Sequence, residues 1–426
     1  FGESAVGNEA GTGTGAHADG FDRILIAGCT FRYVRELKEL RELLTPDGSL
    51  ILADANRLGL KYLAGCQEEY RGGYFTGVEG YPADYVPEGD GTKGAGTKAA
   101  RRDAGAGEPR CYTRNEYVRM LAEAGFAEPR FSYPYPDHKF PSAIYSDDWL
   151  PKKGELMEHR RNFDRDRLLL FDEGRAWDTI TDEGLFGECS NSFLIEAGKR
   201  KEQEAKRTIY AKYSNERAAR FAIRTDIVQD ETGRKRVYKY AQYGEADAHI
   251  ARIAEAYERL TEAYAGSETV PGENAVPAIR FCPCRLHARQ NGAARPDGVA
   301  RPNTFGRPDR SEWPGSSGCA ETAEFPFLSG RSLQELLEEA AGRGDRKQVE
   351  QILREYIRRI RGAGGEIPFR VTEEFCGVFG EQTPAEGLPC AAASDIDLIF
   401  PNILLAEPGT AVLQDAENDR KTSVAR

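Results

Sequence analysis

Phe21-Asp22-Arg23-Ile24-Leu25-Ile26-Ala27 is a short apolar run with Gly20 and Gly28 on either side, and it predicts a buried strand. From Tyr33 to Leu44 the apolar residues fall at Val34, Leu37, Leu40, Leu43 and Leu44, which is helical spacing. Thr45-Pro46-Asp47-Gly48 predicts a turn, and Ser49 to Ala55 a second buried strand. Strand, helix, turn, strand is a βαβ unit, so a parallel pair with a right-handed crossover is expected. Thr113 is a good helix N-cap, with Glu116 in capping-box position. The helix it opens runs through Tyr117, Val118, Leu121 and Ala122 and stops at Gly125. A strand around Arg130–Tyr135 follows, and Arg167–Phe171 and Ser192–Ala197 read as two more.

Lys199–Arg207 is charged and has no strong apolar face, which places a domain boundary there. Beyond it, strands are expected at Ala222–Gln229 and Arg236–Tyr240, joined by Asp230-Glu231-Thr232-Gly233, a hairpin signature. Helices are expected at about Glu245–Tyr264, Ser332–Ala341 and Arg346–Arg361, and a last short strand at Ala411–Leu413. The pattern is interrupted four times. Residues 1–20 and the Gly-rich insertion 83–110 are expected to be disordered, 265–320 reads as a long Pro/Gly/Arg-rich loop, and 417–426 as a polar tail. The expected domains are therefore 21–199 and 208–416.

Composition sharpens this. The chain has 426 residues, 40% hydrophobic and 30% charged, enough for two or three globular domains. No stretch approaches the ~18 consecutive apolar residues of a membrane span, and no signal peptide opens the chain. A net charge of −11 argues against a general nucleic-acid binder. Nine irregularly spaced cysteines read as reduced thiols, so a cytoplasmic location is expected. Residue 1 is Phe and the chain has two Met, from which a missing natural amino terminus is expected.

FDRILIAG, a helix, LLTPDGSLILADANRLGLKY and then YTRNEYVRMLAEAGF, taken in order, resemble the second half of a class I S-adenosylmethionine-dependent methyltransferase. The resemblance spans about Phe21 to Lys199 and identifies the family's fourth, fifth and sixth strands. It implies a Rossmann-like sheet, here with its first strands missing, that binds S-adenosylmethionine at the carboxyl ends of parallel strands. Gly28 and Cys29, at the end of the first strand, are then expected near the cofactor's methionine portion. Asn56 and Tyr62, beyond the second, are expected on the acceptor side. The alternatives are a plain strand-to-loop turn for Gly28 and a loop-capping side chain for Asn56. The family's Gly-rich cofactor loop and ribose-binding acid would lie upstream of Phe1, so the chain as it stands is expected to be catalytically incomplete. Gly11-Thr12-Gly13-Thr14-Gly15 is no substitute, because no strand precedes it and no helix follows. The charged run Arg160–Arg167 reads as a surface ion-pair network, or else as a contact for an anionic or sugar acceptor.

In the second domain, Asp397-Leu398-Ile399-Phe400-Pro401-Asn402, followed by Asp415, resembles the catalytic loop and metal-binding Asp of kinase-like phosphotransferases. The resemblance implies an α+β, kinase-like domain that binds Mg-ATP. Asp397 would be the base, Asn402 and Asp415 the magnesium ligands, and Lys239 the phosphate contact, paired with Glu245 or Glu255. Phe325-Pro326-Phe327-Leu328-Ser329-Gly330 would be the linker between lobes. The family's His before Asp397, its Phe-Gly after Asp415 and its Gly-rich loop are absent. Cys282-Pro283-Cys284 with His287 and Cys319 offers zinc-ligand types, but the Cys-x-Cys gap is tighter than usual and the rest sits in a loop expected to be disordered, so no metal site is expected there. The function expected is methyl transfer to a glycan or small-molecule acceptor. The alternative is a kinase-like phosphotransferase, or a non-catalytic scaffold that binds a glycan or another protein.

Overall fold

The computed structural model describes residues 20–28, 34–70, 72–82, 110–157, 161, 165–200, 206–264, 280–288, 321–363, 366–380, 385–391, 393, 395 and 397–405. Almost all of the expected lead, the 83–110 insertion and the tail lie outside these residues, as do the strand at Ala411–Leu413, Cys29 and Asp415. The chain forms two compact units, Phe1–Ala205 with Ile209–Lys212, and Lys206–Thr208 with Tyr213–Arg426. Both mix helices and sheet.

In the first unit, β1 (Phe21–Ala27), α1 (Val34–Glu42) and β2 (Leu44–Ala55) form the expected βαβ unit, with β1 and β2 parallel. Leu37 faces inward from α1 with no exposed surface. The Thr45–Gly48 turn sits inside β2, where the pairing jumps from Phe21↔Leu44 to Arg23↔Ser49. A Cβ at Gly48 would lie 2.6 Å from the Phe21 carbonyl oxygen, so the looped-out residues close up there only on glycine. After α2 (Leu60–Leu63) comes α3 (Arg114–Glu123), whose Thr113 and Glu116 form the reciprocal capping box, with Gly125 at φ +88° beyond its end. Then follow β3 (Arg130–Tyr135), β4 (Ala143–Ser146), α4 (Glu173–Asp182), α5 (Phe186–Cys189) and β5 (Ser192–Gly198).

The strand order is β1-β2-β5-β3-β4, continued by the Ile209–Lys212 stretch of β6 (Lys206–Tyr213). β5 is antiparallel to both β2 and β3, which makes β2 and β3 co-directional. One parallel pair in an otherwise antiparallel sheet replaces the broader parallel sheet that a βαβ start suggests. Phe131, Tyr133, Phe186 and Phe193 pack edge to face in its core.

Arg167–Phe171 is not a strand. Only Arg167 bridges, to Cys66, with the Leu168 amide donating to the Gly65 carbonyl at 2.9 Å, and Leu168 to Phe171 are 40–55% exposed, with Leu169 at φ 55°. The apolar run had suggested burial, but among the described residues no neighbouring strand covers it. The sequence reading also missed β4, α4 and β6. β4 has four residues and β6 is charged at both ends, so neither carries a long apolar signal.

In the second unit, β7 (Ile223–Asp230) and β8 (Lys235–Ala241) form the expected hairpin. The Asp230 carboxylate accepts from the Thr232 and Arg234 backbone nitrogens, and Gly233 takes φ +83°. After α6 (Asp247–Tyr264) come β9 (Arg285–Ala288) and β10 (Glu321–Pro326), giving the antiparallel order β7-β8-β10-β9. The reading of 265–320 as one long loop is corrected by β9, which pairs along β10. Ile250 of α6 is buried with Ile223, Ala241 and Ala323 of that sheet. The rest is β11 (Arg331–Ser332), α7 (Leu333–Gly342), α8 (Arg346–Ala363), β12 (Glu366–Pro368), α9 (Glu373–Phe379), β13 (Pro389–Ala391) and β14 (Leu404–Leu405). The two helices expected here form within two residues of their expected limits. No helix among the described residues is long and apolar enough to cross a membrane.

Candidate functional site

The parallel strands β1 and β2 end side by side. The Gly28 amide donates to the Ala53 carbonyl at 2.7 Å, and Gly28 itself turns away at φ +85°. Among the described residues a side chain there would meet a single atom within 4 Å, the Tyr70 hydroxyl at 3.5 Å. One residue past Ala53, Asp54 is 2% exposed. Its Oδ1 accepts from the Tyr70 hydroxyl and the Ala55 amide, both at 2.8 Å, and its Oδ2 from the Tyr117 hydroxyl at 2.5 Å. Burial pushes the Asp54 carboxyl up to about 6, against the pull of those three hydrogen bonds and with a smaller push from Glu69. Tyr117 reaches Asp54 from α3, whereas Tyr70 comes from the loop that follows α2.

Tyr70 is held by that loop's own network. Glu68, 1% exposed, accepts from the Tyr70 amide at 2.8 Å through Oε2 and from the Tyr81 hydroxyl at 2.9 Å through Oε1. The Cys111 amide donates to the Tyr81 oxygen at 2.8 Å, and its thiol lies 3.4 Å from Glu68 Oε1. Burial drives the Cys111 thiol well up, and the nearby Asp54, Glu68 and Glu69 carboxylates drive it further, so it is no nucleophile. Tyr81 adopts φ +60° to make these contacts.

Behind this loop, Lys61 is 1% exposed and its Nζ lies 3.0 Å from Asp137 Oδ2 and 3.6 Å from Glu69 Oε2. Lys139 pairs with the other Glu69 oxygen at 2.5 Å. Burial raises the carboxyls of Glu69 and Asp137, but the lysines prevail and hold both below the usual carboxylate range.

Of the residues chosen from sequence, Gly28 stands at the strand end. Tyr62 is buried beside Cys111, its hydroxyl 3.4 Å from Glu69 Oε2, and burial raises its pKa well above that of a free phenol. Asn56 has no exposed surface. Its Nδ2 donates to the Glu188 and Ser190 carbonyls at 2.7 and 2.8 Å, and its Oδ1 accepts from the Leu58 amide at 3.0 Å. All of its amide atoms are thus occupied in holding loops together. In the charged run, Arg167 forms a buried ion pair with Glu173 at 2.6 Å, and Arg165 donates to the Glu69 carbonyl at 2.8 Å. At Arg167 the run is therefore an internal tie, where a surface network had been expected. Sequence reading had passed over Tyr70, Tyr117, Glu68 and Lys61. Tyr117 had read only as the apolar face of a helix, and the nearer carboxylate partner of Lys61, Asp137, lies far along the chain.

In the second unit, Lys239 lies on β8 between Thr225 of β7 and Ala323 of β10, its Nζ 5.3 Å from the Phe325 ring centroid. Burial lowers its pKa, and the Asp397 carboxylate opposes that by favouring the charged form. Asn402 Nδ2 donates to the Asp397 carbonyl at 2.9 Å, closing the loop between the two residues. Lys239, Asp397 and Asn402 therefore share one region, while Glu245 and Glu255 are exposed. Among the described residues no group of three or more His, Cys, Asp or Glu side chains is arranged to hold a metal ion. His287 instead lies 2.5 Å from Glu324, and Cys282 lies 3.7 Å from the Pro326 carbonyl.

No family model, curated protein or solved structure matches the chain.

Proposed function

We propose that the first unit is the acceptor-side half of a class I S-adenosylmethionine-dependent methyltransferase. The observation that carries this reading is the paired carboxyl ends of β1 and β2. There a left-handed Gly28 adjoins a buried Asp54 and the Tyr70 that it holds. Ligands of open α/β sheets sit outside the carboxyl ends of parallel strands, where connections diverge on either side. The co-directional run of β1, β2 and β3 agrees with the three family strands that the sequence resembles.

The residues present fit one end of such a cofactor. Gly28, with only the Tyr70 hydroxyl near its missing side chain among the described residues, leaves room for the methionine portion to lie against backbone. The cofactor supplies an electrophilic methyl group, while the chain's own residues orient the acceptor and exclude water from it. The acceptor is a small molecule or glycan.

The test is calorimetric titration with S-adenosylhomocysteine of the chain together with any coding sequence that precedes Phe1 in its gene. Binding is expected, and Gly28→Ala should weaken it at least tenfold while leaving the circular dichroism spectrum unchanged. A folded wild-type protein that does not bind would sink the reading.

A second reading concerns the second unit, and it is favoured by Asp397 acting on the half-buried Lys239. On it the unit binds Mg-ATP, with Lys239 at the phosphates and Asn402 at the metal. Lys239→Met should abolish binding of Mg-ATP, measured by equilibrium dialysis; an unchanged affinity would remove Lys239 from the site.

A further inference from the structure

A methyl group transferred to oxygen displaces the proton that the oxygen carried, and a group in the site must take that proton as the bond forms. At the ends of β1 and β2 a phenol and a carboxylate stand in series. Tyr70 Oη donates to Asp54 Oδ1 at 2.8 Å, and the same Oη is the nearest atom to a side chain built on Gly28, at 3.5 Å. Asp54 is 2% exposed and clamped from behind by Tyr117 and the Ala55 amide, so it is shielded from direct contact with a substrate. Tyr70 is only partly buried. It stands between that carboxylate and the strand end.

The geometry points to a proton relay in which Tyr70 receives the acceptor's hydroxyl proton and passes its own to Asp54, which selects neutral hydroxyl compounds as acceptors. This rests on the methyltransferase reading. The balance is simple. A lone pair of the acceptor oxygen forms the new carbon–oxygen bond. The bond that breaks is sulfur–methyl, and its electron pair stays on sulfur. The acceptor's proton bonds to Tyr70 Oη while the Tyr70 proton moves to Asp54 Oδ1, and solvent takes it from there after turnover.

Two features of the surroundings support the pairing. Asp54 titrates at about 6, which leaves it ionised and basic near neutrality. Among the described residues the titratable groups that act on it most, or feel it, are Tyr70, Tyr117, Glu69 and Cys111. The corner is acidic as well. Glu68 and Glu69 immediately precede Tyr70, and of the nearby described cations Lys61 and Lys139 are paired with Asp137 and Glu69 while Arg165 donates to the Glu69 carbonyl. Among the described residues Asp54, Glu68, Glu69 and Asp137 outnumber Lys61, Lys139 and Arg165, so an anionic acceptor would meet net like charge there.

The experiment uses the chain with any preceding coding sequence, and compares wild type with Tyr70→Phe and Asp54→Asn. Binding of S-adenosylhomocysteine is measured first. Its absence in wild type defeats the methyltransferase reading itself and the relay with it. Given binding, labelled S-adenosylmethionine is incubated with cell extract separated into anionic, neutral and cationic small-molecule and glycan pools. Label should enter the neutral pool, at a rate that falls as pH drops through about 6. Tyr70→Phe and Asp54→Asn should each lower that rate at least tenfold and leave S-adenosylhomocysteine affinity within twofold of wild type. Independently of turnover, carbon-13 NMR of the Asp54 carboxyl should show its midpoint rise in Tyr70→Phe, because a hydrogen bond that favours the ionised form is lost. Label in a charged pool, or in none, overturns the relay although the protein binds the cofactor product. So does a Tyr70→Phe variant that turns over like wild type or leaves the Asp54 midpoint unmoved.

Discussion

Lys61 and Asp137 are each 1% exposed and meet at 3.0 Å, and such a pair is asymmetric in its energetics. Desolvation of the two charges roughly offsets their attraction, so the pair adds little net stability, whereas removal of one partner strands the other in a medium that cannot solvate it. Lys61→Met should therefore destabilise the first unit by about 3–5 kcal/mol. Adding Asp137→Asn to that variant should recover most of the loss. Urea unfolding followed by the fluorescence of Trp149 and Trp177 measures both, and a Lys61→Met protein as stable as wild type would show that the pair is not buried in solution. Asn56 illustrates a related rule. An amide that satisfies three partners inside the protein contributes more to loop geometry than to ligand recognition.

Among the elements, α3 was legible from sequence to the residue. Capping is a local code, in which Thr113 and Glu116 satisfy each other's backbone nitrogens and Gly125 ends the helix whatever packs around it. The hairpin of β7 and β8 was equally plain, because Asp230 and Gly233 carry the turn by themselves. Strand pairing was not. β5 follows β3 and β4 in the chain, yet it inserts between β2 and β3, and nothing within Ser192–Gly198 encodes its neighbours. Arg167–Phe171 shows the opposite failure. Its leucines have strand composition, but a strand needs a partner, and among the described residues none is provided beyond the single bridge to Cys66.

At the scale of the whole molecule, opposed pKa shifts in the first unit set its response to acid. Asp137 and Glu69 titrate below their unfolded values. Their contribution is complete above about pH 4–5 and is lost as pH falls through the depressed native values. Asp54 titrates above its unfolded value, at about 6. The native state takes up its proton first, and stability from this group increases as pH falls from about 7 toward 4. Burial pushes His138 of the same unit below its ordinary value, so its contribution falls as pH drops through about 6.5 and opposes this gain. The Asp54 gain, on the order of 1 kcal/mol between about pH 7.5 and 5, is therefore read as the difference between wild type and Asp54→Asn. Asp137 and Glu69 give a loss below about pH 4. In Asp54→Asn the gain should vanish while the acid loss remains. Urea midpoints at several pH values would show this, and a stability difference between wild type and Asp54→Asn that does not grow as pH falls from about 7.5 to 5 would contradict the burial of an ionisable Asp54.

Residue order alone determined the opening βαβ unit, the capped helix, the hairpin, the paired helices of the second unit and the placing of Gly28 and Asp54 at adjoining strand ends. Each follows from hydrophobic period or from turn and cap chemistry within a dozen or so residues, and local sterics act the same way in any context. Only the tertiary structure decided that Tyr70 and Tyr117, from a loop and a helix, converge on Asp54, and that Lys61 is buried against Asp137, 76 residues away. The same holds for Asp397, which reaches the field of Lys239 from far along the chain. A carboxylate in water and one in a protein interior are spelled with the same letter. Burial, which distinguishes them, is a property of everything packed around the residue and is not written at the residue itself.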